Sequence, residues 1–240
     1  MTGLEIASAW QSVERAVEEH AKFPPGALSS FSWDRIAQGD VVTRRDPDGR
    51  VIGAGVLDCT RSLAWLSLTD DTPLERVKGL TEFSLEGRWA GPKSLYQYFD
   101  MPWPVTDRHW VIDLTNNVDL PKHADVWERA WRVDTKALAA GRALIGAEKF
   151  DGAIALTKNE GSWLLVPIDQ GRRTFAVYQV GVDIGGNVPE DIAQAVTVGS
   201  IDDMYVKVER NAKAMGPRYG RGCTPQPGGD GQPIPCFTGG

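Results

Sequence analysis

The sequence predicts an α+β fold in which a curved antiparallel sheet wraps one long C-terminal helix and leaves a concave apolar face. Three observations carry this. An amphipathic helical stripe opens the chain, short strand patterns separated by turn residues fill its middle, and a long helical pattern closes it. Elements segregated in this way favour α+β over a doubly wound parallel sheet. The 240 residues, 42% of them hydrophobic and including nine tryptophans, suffice for one large domain with a sizeable core. The net charge of −6 is scattered along the chain. It forms no basic face of the kind that phosphate-backbone binding needs, which excludes nucleic acid as the expected partner.

Residues 4 to 21 place Leu4, Ala7, Trp10, Val13 and Val17 at helical spacing, with Glu14, Glu18 and Glu19 outside the stripe. Pro24-Pro25-Gly26 ends that helix. DVVTRRDPDGRVIGAGVLD reads as two strands around Asp46-Pro47-Asp48-Gly49. Gly53 and Gly55 in the second of these are expected to mark a bulge or bend. Residues 60 to 69, TRSLAWLSLT, suit a short helix, and Thr72-Pro73 starts an irregular stretch. Strands are expected at 80–87, 94–101, 109–116 and 125–133. Pro102 and Pro104 lack the N–H groups that a central ladder needs, so residues 102–104 read as a corner between two of them.

Gly141 then interrupts the pattern before a second β block. Residues 150–158 and 162–168 are expected to pair as a hairpin across Asn159-Glu160-Gly161, followed by a strand over 173–183. NVPEDIAQAVTVGSIDDMYVKVERNAK reads as the long helix, with Asn187 or Val188 at its cap and Pro189 in its first turn. Glu190-Asp191 suit the positive end of its dipole. Past Gly216 the composition turns to Gly and Pro, so residues 1–215 are read as one domain and 216–240 as a tail outside the fold.

The opening stretch MTGLEIASAWQSVERAVEEH has no basic region followed by an apolar run, so no signal peptide is expected and the cytoplasm follows. Cys223 and Cys236 pull the other way. They bracket a short loop that would close as a disulfide, which suits the periplasm or secretion after removal of a leader. Cys59, among apolar neighbours, reads as a buried structural thiol. His20, His109 and His123 show no metal-ligand spacing, and there is no nucleophile elbow, P-loop or dinucleotide fingerprint. No cofactor and no metal are therefore expected. The pairs Asp70-Asp71 and Asp202-Asp203 read as solvated surface.

PWPVTDRHWV (102–111) resembles the Pro-x-Ser/Thr-Asp-Arg-Asp strand start of the START family. GSWLLVPIDQGRRTFAVYQVGVDIGG (161–186) is similar to that family's Gly-Ser-Trp strand, turn and Tyr-bearing strand. GGNVPEDIA (185–193) matches the Gly-Gly-x-hydrophobic-Pro stretch before its last helix. The resemblance covers roughly residues 10 to 212. It implies a bacterial-type single START (StAR-related lipid transfer) domain of the helix-grip, or SRPBCC, superfamily, with a lipid held in an internal cavity. His109 stands where the pattern has an acidic residue, and Ile184 where it has Pro. Sterol-binding members carry a charged residue further along the first of these strands. Here HWVIDLT offers Asp113 and no second Arg, so a sterol is not the expected ligand.

Strand alternation puts Trp110, Ile112 and Leu114 on one face and His109, Val111, Asp113 and Thr115 on the other. It likewise groups Tyr96 with Tyr98, and Tyr178 with Val180 and Val182 against Phe175, Val177 and Gln179. Polar-tipped aromatics suit a pocket wall and a solid core alike. Ile192, Ala195, Val196 and Gly199 share one side of the last helix, where small residues would leave room beneath it. The expected ligand-binding set is Tyr96, Tyr98, Arg108, Trp110, Ile112, Leu114, Trp163, Tyr178, Val180, Ile192, Ala195, Val196 and Gly199. For Arg108, an ion pair with Asp107 or Asp100 that pins the corner is the favoured reading over ligand contact.

These residues support a non-enzymatic binder of a lipid or other hydrophobic molecule, monomeric, with transient membrane contact and with Val188–Gly199 as the gate. The first alternative is a polyketide cyclase or aromatase-like enzyme using His109, Asp113 and Tyr178. The second is an interaction module with a vestigial cavity.

Overall fold

The computed structural model describes residues 1–71, 79–87, 90–101, 103, 105–145, 152–186 and 190–237, with the side chains of 144–145 and 190–200 outside that description. The main elements are α1 (Gly3–His20), α2 (Trp33–Ala37), β1 (Val42–Arg45), β2 (Val51–Leu57), α3 (Arg61–Thr69), β3 (Leu80–Gly87), β4 (Lys93–Phe99), β5 (Arg108–Asn116) and β6 (Trp127–Val133). They continue as α4 (Leu138–Ile145), β7 (Ile154–Ala155), β8 (Lys158–Ile168), β9 (Arg173–Asp183), α5 (Glu190–Arg218), β10 (Gln226–Pro227) and β11 (Pro233–Ile234). Among the described residues nine strands form one sheet in the order β1-β2-β9-β8-β6-β5-β4-β3, with the short β7 parallel to β5 and all other pairings antiparallel.

Two helical layers cover this sheet. The outer one begins at a capping box, in which Thr2 and Glu5 satisfy each other's backbone N–H at the start of α1. Ile6, Trp10, Val13 and Val17 of α1 then bury against Ile52, Ala54, Leu164, Phe175 and Val177. Leu4, expected in that stripe, is exposed, and Ile6, one turn ahead of Trp10, takes its place. The buried Glu128 carboxylate fixes the end of α1 by accepting from the backbone N–H groups of Lys22 and Phe23 at 2.8 and 3.1 Å.

The inner layer is α3 and α5. Ile201, Tyr205, Val208, Ala212 and Met215 recur at helical spacing along α5 and join the core over the sheet. The expectation for Gly53 and Gly55 is corrected here, because both lie in regular β2 pairing with β1 and β9. A Cβ on Gly53 would meet Ile201 Cγ2 at 2.7 Å, and one on Gly55 would meet Tyr205 Cε1 at 3.1 Å, so these glycines let α5 approach the sheet. Tyr205 fixes that approach with its hydroxyl, 3.0 Å from the Gly53 carbonyl oxygen and 2.8 Å from that of Ala176.

Several boundaries differ from those the sequence suggests. Asn159-Glu160-Gly161 is no hairpin turn but the start of the single long strand β8, paired on both sides. Gly161 is there because a side chain would collide with the Gln179 carbonyl and with Trp131. Gly141 interrupts nothing: it lies inside α4, where a Cβ would meet Tyr96 Cδ2 at 2.7 Å and Val111 Cγ2 at 3.3 Å. Close packing of α4 on the outer face of β4 and β5 requires it. The expected cap at Asn187–Pro189 and the residues Pro102 and Pro104 lie outside the described residues.

The C-terminal segment is part of the core. A disulfide joins Cys223 to Cys236, Ile234 is buried, and the Trp65 indole donates to the Pro227 carbonyl at 3.0 Å. Gly228 and Gly229 lie flat on Trp127, where any side chain would clash. Apolar content is low in this stretch, yet one isoleucine, two glycines and a crosslink suffice to dock it.

Candidate functional site

A cavity of about 310 Å³ lies between the inner sheet face, α3 and α5. Alternate residues of six strands wall it: Leu80 and Glu82 from β3, Lys93, Leu95, Gln97 and Phe99 from β4, Arg108 to Leu114 in steps of two from β5, Arg129 and Trp131 from β6, Trp163 from β8, and Tyr178 to Val182 from β9. Ser67 and Leu68 of α3 and Met204, Lys207, Val208 and Asn211 of α5 close it. Trp163 packs on Tyr178 and Tyr205 with ring centroids 4.8 and 5.1 Å apart, and Trp131 stacks on Tyr178 at 5.6 Å. This aromatic wall is apolar surface held in fixed rotamers by mutual contact.

Of the residues singled out from sequence, Arg108, Trp110, Ile112, Leu114, Trp163, Tyr178 and Val180 line this cavity. Tyr96 and Tyr98 do not. Tyr96 pairs with Val111 in the β4–β5 register and follows it to the outer face, where its hydroxyl lies 2.8 Å from His109 Nδ1. The Tyr98 hydroxyl donates to Asp107. Ile192, Ala195, Val196 and Gly199, and the gate Val188–Gly199, have side chains outside the described residues.

Arg108 forms neither of the expected ion pairs. Its guanidinium donates to the Ile184 and Gly185 carbonyls at 2.6 and 2.9 Å and to that of Thr106. Asp107 closes the corner instead, accepting from the Met101 N–H at 2.9 Å. Trp103, between the two prolines, is 93% exposed. Burial holds the Arg108 guanidinium below its usual range, with Asp107 opposing.

The acid–base trio His109, Asp113 and Tyr178 is not assembled. His109 is buried on the outer face, where burial and then Arg142 hold its imidazole below the ordinary histidine range. Asp113 is exposed and accepts from Ser94. Only Tyr178 reaches the cavity, and burial pushes its phenol upward. Cys59 is buried and its thiol is pushed up to about 12 by burial, then by Glu209 and Asp58, which suits an inert core thiol.

The cavity also holds polar groups that sequence reading passed over. Trp110 Nε1 donates to Gln97 Oε1 at 2.6 Å, and Gln97 donates in turn to Glu82. Lys93 Nζ meets Asp71 at 2.5 Å and the Thr69 carbonyl at 3.2 Å. Asp70, read as solvated, is buried, accepts from the Tyr219 hydroxyl at 3.0 Å and pairs with Arg218 at 2.7 Å. Arg129 was legible in principle: in WERAWRV the alternation sets it on the same face as Trp127 and Trp131.

His20, Asp119 and His123 come together away from the cavity, with ligand atoms within 4.8 Å of one another. The two imidazoles stack with centroids 3.6 Å apart and planes only 5° from parallel. A metal ion sits in the plane of each imidazole it binds. These stacked planes meet only far outside the cluster, so this arrangement does not present two lone pairs to one ion.

The sheet order, the helix laid over its inner face and the cavity between them give the START-like, helix-grip α+β fold. Human StAR-related lipid transfer protein 5 superposes with a TM-score of 0.59 over 87% of this chain and 98% of that one, at 14% identity. A STAR-related lipid transfer protein from Xanthomonas axonopodis gives 0.54 over 72% and 98%, at 17% identity. The chain belongs to one family with the Pseudomonas aeruginosa protein called uncharacterized protein PA1579, to which it is 37% identical over 171 residues, 71% of this chain and 73% of that relative. No family model matches it. Among the described residues no helix is long and apolar enough to cross a membrane.

Proposed function

We propose that this chain binds a lipid or other hydrophobic small molecule in the cavity beneath α5, as a non-enzymatic carrier or sensor. The observation that carries this is the unfilled space of about 310 Å³ walled by Trp110, Trp131, Trp163 and Tyr178. Natural cores close to near-crystalline density, and a void of this size falls at the small end of the range for ligand pockets. It suits a single-chain or compact ligand. Removing apolar surface from water yields about 25 cal/mol per Å², so such a wall supplies affinity with no catalytic group. The likeness to proteins named for lipid transfer agrees with this reading. The exposed Trp103 is the residue to which we assign transient membrane contact, since indoles favour the membrane–water interface.

The enzymatic alternative gains nothing from the geometry, because two of its three groups face away from the cavity. Native mass spectrometry of delipidated protein mixed with fatty acids, phospholipids and sterols tests the binding reading. A stoichiometric adduct with at least one of them is expected, and retention of none removes it.

A further inference from the structure

Arg129 is 1% exposed and lies on the cavity wall, in register between Asn116 of β5 and Trp163 of β8. One nitrogen makes all of its hydrogen bonds: Nη1 donates to Asn116 Oδ1 at 2.5 Å and to the Ala90 and Gly91 carbonyls at 3.2 and 2.9 Å. Nε and Nη2 are buried without a hydrogen-bond partner. These two nitrogens form one edge of the guanidinium plane, with two parallel N–H bonds at the spacing of a carboxylate or phosphate oxygen pair. Leaving a charged donor pair unsatisfied in a dry interior is costly, so this edge calls for an acceptor pair.

The surroundings agree in sign. Among the described residues the lining carries four cationic groups, Lys93, Arg108, Arg129 and Lys207, against one acidic group, Glu82, in a chain whose net charge is −6. Lys93, Arg108 and Lys207 already have their partners in Asp71, the Ile184–Gly185 carbonyls and Asp203, whereas the Arg129 edge has none among the described residues. Ser67 Oγ, another lining group, is also buried without a partner. Burial lowers the Arg129 guanidinium to about 10, with Asp71 opposing, so it stays charged at neutral pH.

We propose that the Nε–Nη2 edge of Arg129 receives the anionic head of an amphiphile, a carboxylate or phosphate, whose apolar body lies against Trp131, Trp163 and Tyr178. This rests on the binding reading above and specifies its ligand class. The test is titration of delipidated full-length protein, followed by calorimetry and tryptophan fluorescence, with dodecanoate, dodecyl phosphate, dodecanol and inorganic phosphate. The two anionic amphiphiles are expected to bind at least tenfold more tightly than the alcohol. Arg129→Met is expected to bring dodecanoate down to the alcohol's affinity and leave the alcohol unchanged.

Equal binding of acid and alcohol to the wild type overturns the head-group assignment while the cavity reading stands. Binding of none of the amphiphiles removes both. Inorganic phosphate binding as tightly as dodecyl phosphate overturns the amphiphile and points to a free-anion site. Should Arg129→Met fail to fold, the acid-to-alcohol ratio in the wild type and in Ser67→Ala decides alone, and a ratio near one sinks the proposal.

Discussion

Arg108 at the start of β5 holds the Ile184 carbonyl at 2.6 Å, across 76 positions of chain, and so ties the Asp-Arg corner to the loop that leads into α5. The neighbouring bond to Gly185 uses the other arm of the same fork. Two stretches that carry the family likeness, the Asp-Arg strand start and the Gly-Gly loop, are thus one structural joint. A lysine cannot span both carbonyls. Arg108→Lys should cost about 2 kcal/mol in urea unfolding, given that hydrogen bonds to a charged group contribute roughly 1.5–3 kcal/mol. An unchanged midpoint would show that the joint is not what holds the loop.

Val180 lines the cavity from β9, and its side chain borders unfilled space. Enlarging a packed core residue costs about 1–3 kcal/mol, whereas growth into a void meets no such resistance. Val180→Phe should therefore leave the thermal midpoint within a few degrees of wild type and reduce amphiphile affinity by at least tenfold. Undiminished binding by the variant in the same titrations would place the ligand elsewhere.

The alternation of β5 and β9 was readable because each strand is an apolar run with a clear period of two. Trp110, Ile112 and Leu114 fall on the cavity side together, as do Tyr178, Val180 and Val182. Tyr96 and Tyr98 were assigned to the wrong side because the face of β4 depends on its pairing with β5. That register is set by the length and path of the corner between them, and a slip of one residue inverts every side chain. The place of Arg129 is hidden in the sequence for a different reason. A lone basic residue between two tryptophans looks like a solvated edge until the strands on both sides of it are known. Gly161, Gly53 and Gly141 were all read as breaks, yet each serves close approach, which only the opposing element reveals.

His109 gives a pH dependence with a definite sign. Burial first, and Arg142 second, hold its imidazole below the ordinary value of 6.5. The unfolded chain therefore takes up this proton at a higher pH than the fold does. The stability it contributes is present above pH 6.5 and is lost as pH falls from 6.5 through the lowered folded value, by at most about 1.4 kcal/mol per pH unit. His109→Phe keeps the ring and removes the proton. Urea unfolding at pH 7, 6 and 5 should show a shallower decline in the variant than in the wild type, and parallel declines would exclude His109 as the source.

Cys223 and Cys236 close a loop of 13 positions that carries Ile234 into the core and lays Gly228 and Gly229 on Trp127. The chain-entropy cost of such a loop in the unfolded state is about 3 kcal/mol. Replacing both cysteines by serine should lower the unfolding free energy by about that amount. It should also shift Trp127 emission to the red, because the segment that covers the indole is held by little apolar area of its own. Trp65 should respond as well, since its indole donates to Pro227 in the same segment. A double variant with unchanged stability and unchanged tryptophan emission would mean that Ile234 and the two glycines dock the segment without the crosslink.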